Sequence, residues 1–327
     1  MVEKTPLIIT KNKKNANYMD TPNHDVPELK LEDYLPKDLI RNKQANLPNV
    51  SEPEVVRHYI KLSSKNHHVD KDFYPLGSCT MKYNPKINDK IASESQFANI
   101  HPEQHLSTVQ GHLELQYKLE KMLNNITGMA RTTLQPSAGS QGEFVGLLIM
   151  QKYHQNKKNK KYIIIPESAH GTNPASVILA GFKVIQVGTN SKGCVDIDDL
   201  KSKVNDEVAG MMLTQPNTLG IFEKDIREIT DIIHSVNGLI YMDGANLNAL
   251  LGLSRPADMG FDIVHMNLHK TFSTPHGGGG PGAGPIGVVQ KLAKHLPCPT
   301  VEKVGEEYVL SNNHSKDSIG RVHSFYG

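Results

Sequence analysis

The chain has little cysteine. Cys79, Cys194 and Cys298 are scattered over 327 residues, and no CxxC pair occurs. Neither a disulfide framework nor a zinc knuckle is indicated, no metal is expected, and the setting that fits is reducing and cytoplasmic. Net charge is nearly absent too. The 36 Lys and Arg against 34 Asp and Glu leave +2, and the 16 His add charge only at lower pH. That balance gives no general reason to expect a nucleic-acid partner. Long apolar runs are missing. No window approaches the roughly 18 apolar residues that a membrane-spanning helix needs. The opening MVEKTPLIITKNKKNANYMD has no apolar segment long enough for a signal peptide. No internal repeat appears, and neither GxxxxGK(S/T) nor a GxGxxG that opens a helix after a strand. The run Gly277 to Gly280 is therefore a poor nucleotide loop and reads as a mobile loop over an active site.

What is present suits a soluble globular protein, with 38% hydrophobic and 21% charged residues. Residues 1–50 are polar and read as an extended arm. Ser51 followed by Glu54 is a capping-box pattern that opens a helix over SEPEVVRHYIKLSSKN, whereas Phe73 to Pro85 is too rich in turn formers for a regular element. Leu113 to Ile126 has helical spacing. Beyond it the pattern alternates. Helices are expected over Gln141–Tyr153, Pro174–Ala180, Asp196–Val204 and Lys224–Val236. Strands are expected over Tyr162–Ile165, Lys183–Val187, Gly210–Thr214, Leu239–Asp243, Asp262–Asn267 and Ile286–Gln290. Strands separated by helices imply an α/β protein with a mainly parallel, doubly wound sheet, whose sites form at the carboxyl ends of the strands.

Two such ends carry chemistry. The apolar run before Asp243 finishes in that carboxylate, and the run Asp262 to Met266 leads into the pair His269-Lys270, just before the glycine-rich loop. A carboxylate and a lysine so placed are what a pyridoxal 5'-phosphate site needs: the lysine forms the Schiff base and the acid pairs with the ring nitrogen. Lys270 must be partly desolvated for its amine to be neutral. The small residues Ser137 to Glu143 open a helix, where free N–H groups and the helix dipole favour a phosphate. His170, after another strand, can stack on the cofactor ring and help to position a substrate amine. Asn217 could donate to the phenolic oxygen, with Thr214 lining the same face. Each has a plainer reading: a solvated strand-end Lys, an N-cap Asp, a loop His, a turn Asn.

The stretches SEPEVVRHYIKLS, FYPLGSCTMKYNPKIN, ARTTLQPSAG, SAGSQGEFVGLL, SAHGTNPAS, LTQPNTLGIFE, DGANLNALLG and NLHKTFSTPHGGGGPGAGPIGV closely resemble the glycine decarboxylase P-protein family, in the second subunit of its two-subunit form. The likeness covers nearly the whole chain from about Leu35. It implies the fold-type I pyridoxal phosphate architecture and a heterotetramer of two copies with two of P-protein subunit 1. It implies decarboxylation of glycine, with the aminomethyl group passed to the lipoyl arm of H-protein. Carried onto matching positions, Lys270 is the Schiff-base lysine, Asp243 the ring-nitrogen partner and His170 the stacking residue. Ala138, Gly139 and Ser140 hold phosphate, with His269 nearby. The lipoyl arm would reach Lys270 near the Gly277 loop and the segment Phe73 to Tyr83. The organisation expected is an arm over 1–50, a segment near the active site over 51–112, a cofactor-binding large domain over 113–310, and at 311–327 the start of a small C-terminal domain, otherwise largely missing. Rival readings are a cysteine desulfurase-like lyase, disfavoured by the lack of a cysteine on a mobile catalytic loop, and a non-catalytic chain that binds the cofactor or subunit 1.

Overall fold

The computed structural model describes residues 4–12, 18, 25–43, 45–72, 82–156, 160–274 and 282–323. The expectations for Cys79, the Gly277 loop, most of Phe73 to Tyr83 and the last four residues lie outside these. The chain divides into two compact units, Met1–Tyr74 and Pro75–Gly327.

In the first unit, short turns precede one helix, α1 (Glu52–Ser63). The Asn12 carboxamide donates to the Leu47 carbonyl (3.0 Å) and accepts from the Asn49 N–H (2.7 Å), tying the start of the unit to the approach to α1. The capping box forms as expected, with the Ser51 N–H donating to Glu54 Oε2 at 3.2 Å.

The second unit holds α2 (Lys86–Ala92), α3 (Ser95–Ala98), α4 (Gln110–Thr127), β1 (Arg131–Thr133), α5 (Gly139–His154), β2 (Tyr162–Pro166), α6 (Thr172–Leu179), β3 (Lys183–Val187), α7 (Ile197–Lys203), β4 (Val208–Thr214), α8 (Ile226–Ser235), β5 (Leu239–Gly244), β6 (Ile263–Met266), α9 (Leu268–Thr271), β7 (Ile286–Val288), β8 (Thr300–Val304) and β9 (Glu307–Ser311). Seven strands form one sheet in the order β1-β7-β6-β5-β4-β2-β3. The pairs from β3 to β6 are parallel, and β7 runs antiparallel to both β6 and β1. The strands and helices foreseen between residues 141 and 290 all form, with ends shifted by a few residues. β1 and the β8–β9 hairpin were not foreseen.

The central strands β2, β4, β5 and β6 are buried on both faces, which is why they read as nearly unbroken apolar runs. Successive side chains point to opposite sides. Ile164, Ile240, Met242, Val264 and Met266 enter one core with Ile226, Ile229 and Ile233 of α8. Their neighbours Ile163, Ile165, Leu239, Tyr241 and Ile263 enter the other, with Val145, Ile149 and Met150 of α5. α5 lies close to the sheet because it carries glycine where the strands press hardest: a Cβ at Gly146 would run into the Tyr241 ring. Among the described residues, no helix is long and apolar enough to cross a membrane.

Candidate active site

The carboxyl ends of β2, β4, β5 and β6 and the start of α5 surround a cavity of about 590 Å³. Its lining includes every site residue expected from the sequence: Lys270, His269, Asp243, His170, Thr214, Asn217, Ala138, Gly139 and Ser140. The topology brings them together, because parallel strands deliver all their carboxyl ends to one edge.

Asp243 ends β5 and is 5% exposed. Its Oδ2 accepts from Asn173 Nδ2 at 2.9 Å and its Oδ1 from the Ala245 N–H at 3.0 Å. His265, its register partner on β6, brings Nε2 to 3.3 Å from Oδ1. Burial pushes the carboxyl upward, but His265, the Asn173 and Ala245 N–H donors and the Lys270 charge outweigh it, and the group is held below the usual carboxylate range. Behind it the Tyr241 hydroxyl lies 2.8 Å from His265 Nδ1. Burial and the charges of Glu143 and Asp243 hold that phenol well above its usual range, so it stays neutral.

Lys270 sits partly buried on the single turn α9, directly after β6. His269 beside it is buried, its backbone carbonyl accepts from Lys82 Nζ at 2.6 Å, and its Nδ1 receives the Ala283 N–H at 3.4 Å. Thr214 ends β4 with a buried hydroxyl that has no partner among the described residues. Asn217 lines the cavity, but its side chain builds the loop: Nδ2 donates to the Gly193 carbonyl and to Glu223 Oε1, both at 2.8 Å, and Oδ1 accepts the Leu219 and Ile221 N–H groups. Both its N–H donors are thus engaged. His170 is exposed at the cavity, and its Nδ1 lies 2.8 Å from Thr172 Oγ1.

At the start of α5 the N-cap Ala138 supplies no side-chain acceptor, so the first-turn N–H groups are left for another partner. A Cβ on Gly139 would overlap the Asn267 carboxamide, so only glycine lets helix and strand end approach this closely. The residue types fit pyridoxal 5'-phosphate: a lysine amine, an ionised carboxylate for a protonated ring nitrogen and a helix start for phosphate. Buried and partnerless among the described residues, Thr214 Oγ1, Asn173 Oδ1 and Asn267 Oδ1 leave polar capacity for a ligand.

Glu143, Asn173, Tyr241, His265 and Asn267 were not singled out from the sequence. Glu143, Asp243 and His265 place potential ligand atoms within 4.8 Å of one another, yet each is already engaged by protein groups. A signal existed for Asn173 and Glu143, which lie inside quoted motifs. His265 becomes visible only once β5 and β6 are in register.

The sheet order, its single antiparallel insertion and the lysine after β6 define a fold-type I pyridoxal phosphate enzyme architecture. The solved glycine decarboxylase (P-protein) of the glycine cleavage system shares this fold, with a TM-score of 0.67 at 20% identity over 86% of this chain and 64% of that one. A cysteine desulfurase from Escherichia coli is more distant, with a TM-score of 0.52 at 16% identity over 72% of this chain and 60% of that one. The model of the glycine cleavage system P-protein family matches residues 12–306, and the chain belongs to that family. It is 55% identical over 98% of its length to the probable glycine dehydrogenase (decarboxylating) subunit 2 of Alkaliphilus oremlandii, and 56% identical over 99% to that of Caldanaerobacter subterraneus subsp. tengcongensis. It spans 66% and 67% of those two proteins.

Proposed function

We propose that this chain carries the pyridoxal phosphate site of a glycine-decarboxylating P-protein. It would act on glycine and pass the aminomethyl group to the lipoyl arm of H-protein. The observation that carries the reading is the convergence of Lys270, Asp243 and His170, from three separate strand ends, on one cavity, with the buried Asp243 held ionised. The cofactor supplies an electron sink for the carbanion left when CO2 departs. Asp243 keeps a proton on the ring nitrogen, and Asn173 and His265 hold the carboxylate in place. Lys270 provides the amine for covalent attachment. The α5 start, with Ala138, Gly139 and Ser140, receives the phosphate, and His269 lies close by. His170 covers the ring face and meets the substrate amine. With Asn217 committed to its own loop, the Thr214 hydroxyl is the better-placed partner for a polar cofactor atom on that side.

The names of the relatives support a partner, P-protein subunit 1; the heterotetramer of two copies of each rests on the family resemblance alone. The scattered cysteines support a cytoplasmic setting. Residues 113–310 would form the cofactor-binding domain. Among the described residues neither Cys194 nor Cys298 lines the cavity, so neither supports the desulfurase reading.

Borohydride reduction after incubation with pyridoxal phosphate, then peptide mapping, is expected to place the label on Lys270. Label elsewhere, or none, would sink the assignment. Glycine–bicarbonate exchange with subunit 1 and lipoylated H-protein is then expected, with no sulfide released from cysteine.

A further inference from the structure

The reading above leaves one acid of the cavity wall without a task. Glu143 on α5 is 4% exposed and lines the cavity. Each carboxylate oxygen accepts one hydroxyl: Thr172 Oγ1 donates to Oε1 and Ser176 Oγ to Oε2, both at 2.8 Å. The same Thr172 Oγ1 lies 2.8 Å from His170 Nδ1. The three groups form a continuous chain from the buried carboxylate to the exposed imidazole.

A hydroxyl has one hydrogen. A carboxylate, with its charge, competes for that hydrogen more strongly than a neutral ring nitrogen. The Thr172 hydroxyl can then only accept from His170, so the imidazole proton sits on Nδ1. A second contact argues the other way: the Thr172 backbone N–H approaches the same Nδ1 at 3.3 Å, which needs a lone pair there. The two assignments exclude each other. The 2.8 Å length of the His170–Thr172 contact suits either direction and does not choose between them. The hydroxyl hydrogen does: Glu143 Oε1, itself at 2.8 Å, holds it, and the longer 3.3 Å approach is the weaker claim on Nδ1.

We propose that Glu143, acting through the Thr172 hydroxyl, is a positioning residue that holds the His170 proton on Nδ1 and the lone pair on Nε2, so that Nε2 takes a proton from the ammonium group of an incoming amino acid. This rests on the amino-acid reading of the cavity. The transfer is balanced. The N–H bond of the ammonium breaks, its electron pair stays on the amine nitrogen, and the proton ends on His170 Nε2. The resulting imidazolium is offset by the Glu143 carboxylate across one hydroxyl. The amine so freed would be the nucleophile toward a cofactor held by Lys270.

The test reads the ring directly. In the chain labelled with 15N-histidine, at about pH 8.5 and so above the ordinary imidazole range, imidazole NMR is expected to show His170 as the Nδ1–H tautomer. Thr172→Val removes the bridge and is expected to move the proton to Nε2. Thr172→Ser keeps the hydroxyl and is expected to retain Nδ1–H, and Glu143→Gln to lose it. Wild-type His170 found as Nε2–H overturns the proposal without any variant having to fold. So does a Thr172→Val chain that keeps Nδ1–H.

A second readout uses the chain loaded with pyridoxal phosphate. Stopped-flow absorbance on mixing with glycine is expected to slow by at least about tenfold in Glu143→Gln and Thr172→Val but not in Thr172→Ser, since general-base catalysis supplies about 10²–10⁴. An unchanged rate overturns the proton-transfer role. Failure of the cofactor reading would appear separately, as no cofactor absorbance band in any of these proteins while the tautomer remains measurable.

Discussion

Asp243 concentrates the electrostatics of the site. A carboxylate this buried would ordinarily be driven neutral, yet His265, two N–H donors and the Lys270 charge hold it ionised. A folded-state carboxyl held below its unfolded value contributes stability that is complete above the ordinary carboxylate range and lost as pH falls through and below it. Replacing it with Asn is therefore expected to flatten the fall in urea midpoint between about pH 5 and pH 3. An unchanged acid slope would mean that the carboxyl is not held down. The same variant should lose about 10²–10³ in glycine-dependent turnover, the usual cost of removing one fixed electrostatic partner. Asp243 and Lys270 were legible in the sequence because each ends an apolar run. His265 and Tyr241 were not, because both read as ordinary strand residues until the sheet lays them behind Asp243.

At the scale of elements, the approach of α5 to β6 shapes the end of the cavity where the phosphate is proposed to bind. Gly139→Ala places a methyl group against the Asn267 carboxamide and is expected to cost about 1–3 kcal/mol of stability, with weaker cofactor binding. Denaturant midpoints that match wild type would show that Asn267 yields freely. The β8–β9 hairpin lies outside the main sheet and is tied to it by Arg131. That guanidinium meets Glu120 at 2.5 Å and Glu302 at 2.8 Å. Arg131→Ala leaves the buried Glu120 without its cation, at a cost of about 3 kcal/mol. Amide exchange over residues 300–311 should accelerate while the parallel strands stay protected, and uniform acceleration would argue that the hairpin is not separately anchored. The long helices and buried strands were readable from periodicity, and the Ser51 capping box from two residues. β1 is only three residues long, below the length at which a period can be recognised, and the hairpin strands lack a clean alternation.

For the whole molecule, ligand linkage gives the broadest check. Pyridoxal phosphate at a hundred times its Kd should stabilise the chain by about 2.7 kcal/mol, read as a raised thermal midpoint. Lys270→Ala should lose most of that rise. A midpoint indifferent to the cofactor in the wild-type chain would mean that the chain does not bind it unaided. Glycine–bicarbonate exchange belongs to the same scale, because the relatives are longer than this chain and their names point to a second subunit.

The order of apolar runs and turn formers was enough to specify a parallel α/β sheet, since burial on both faces demands continuous hydrophobic strands. It was also enough to locate the lysine and the aspartate, since chemistry at strand ends interrupts such runs. Tertiary structure alone decided which groups face Asp243, that the Asn217 amide is spent on its own loop, and that Glu143 reaches His170 through Thr172. Some of those contacts join residues far apart in the chain, as Glu143 to Thr172 and Asn217 to Gly193 do, and even for the local ones a one-dimensional pattern carries no information about which hydrogen-bond donors are already taken.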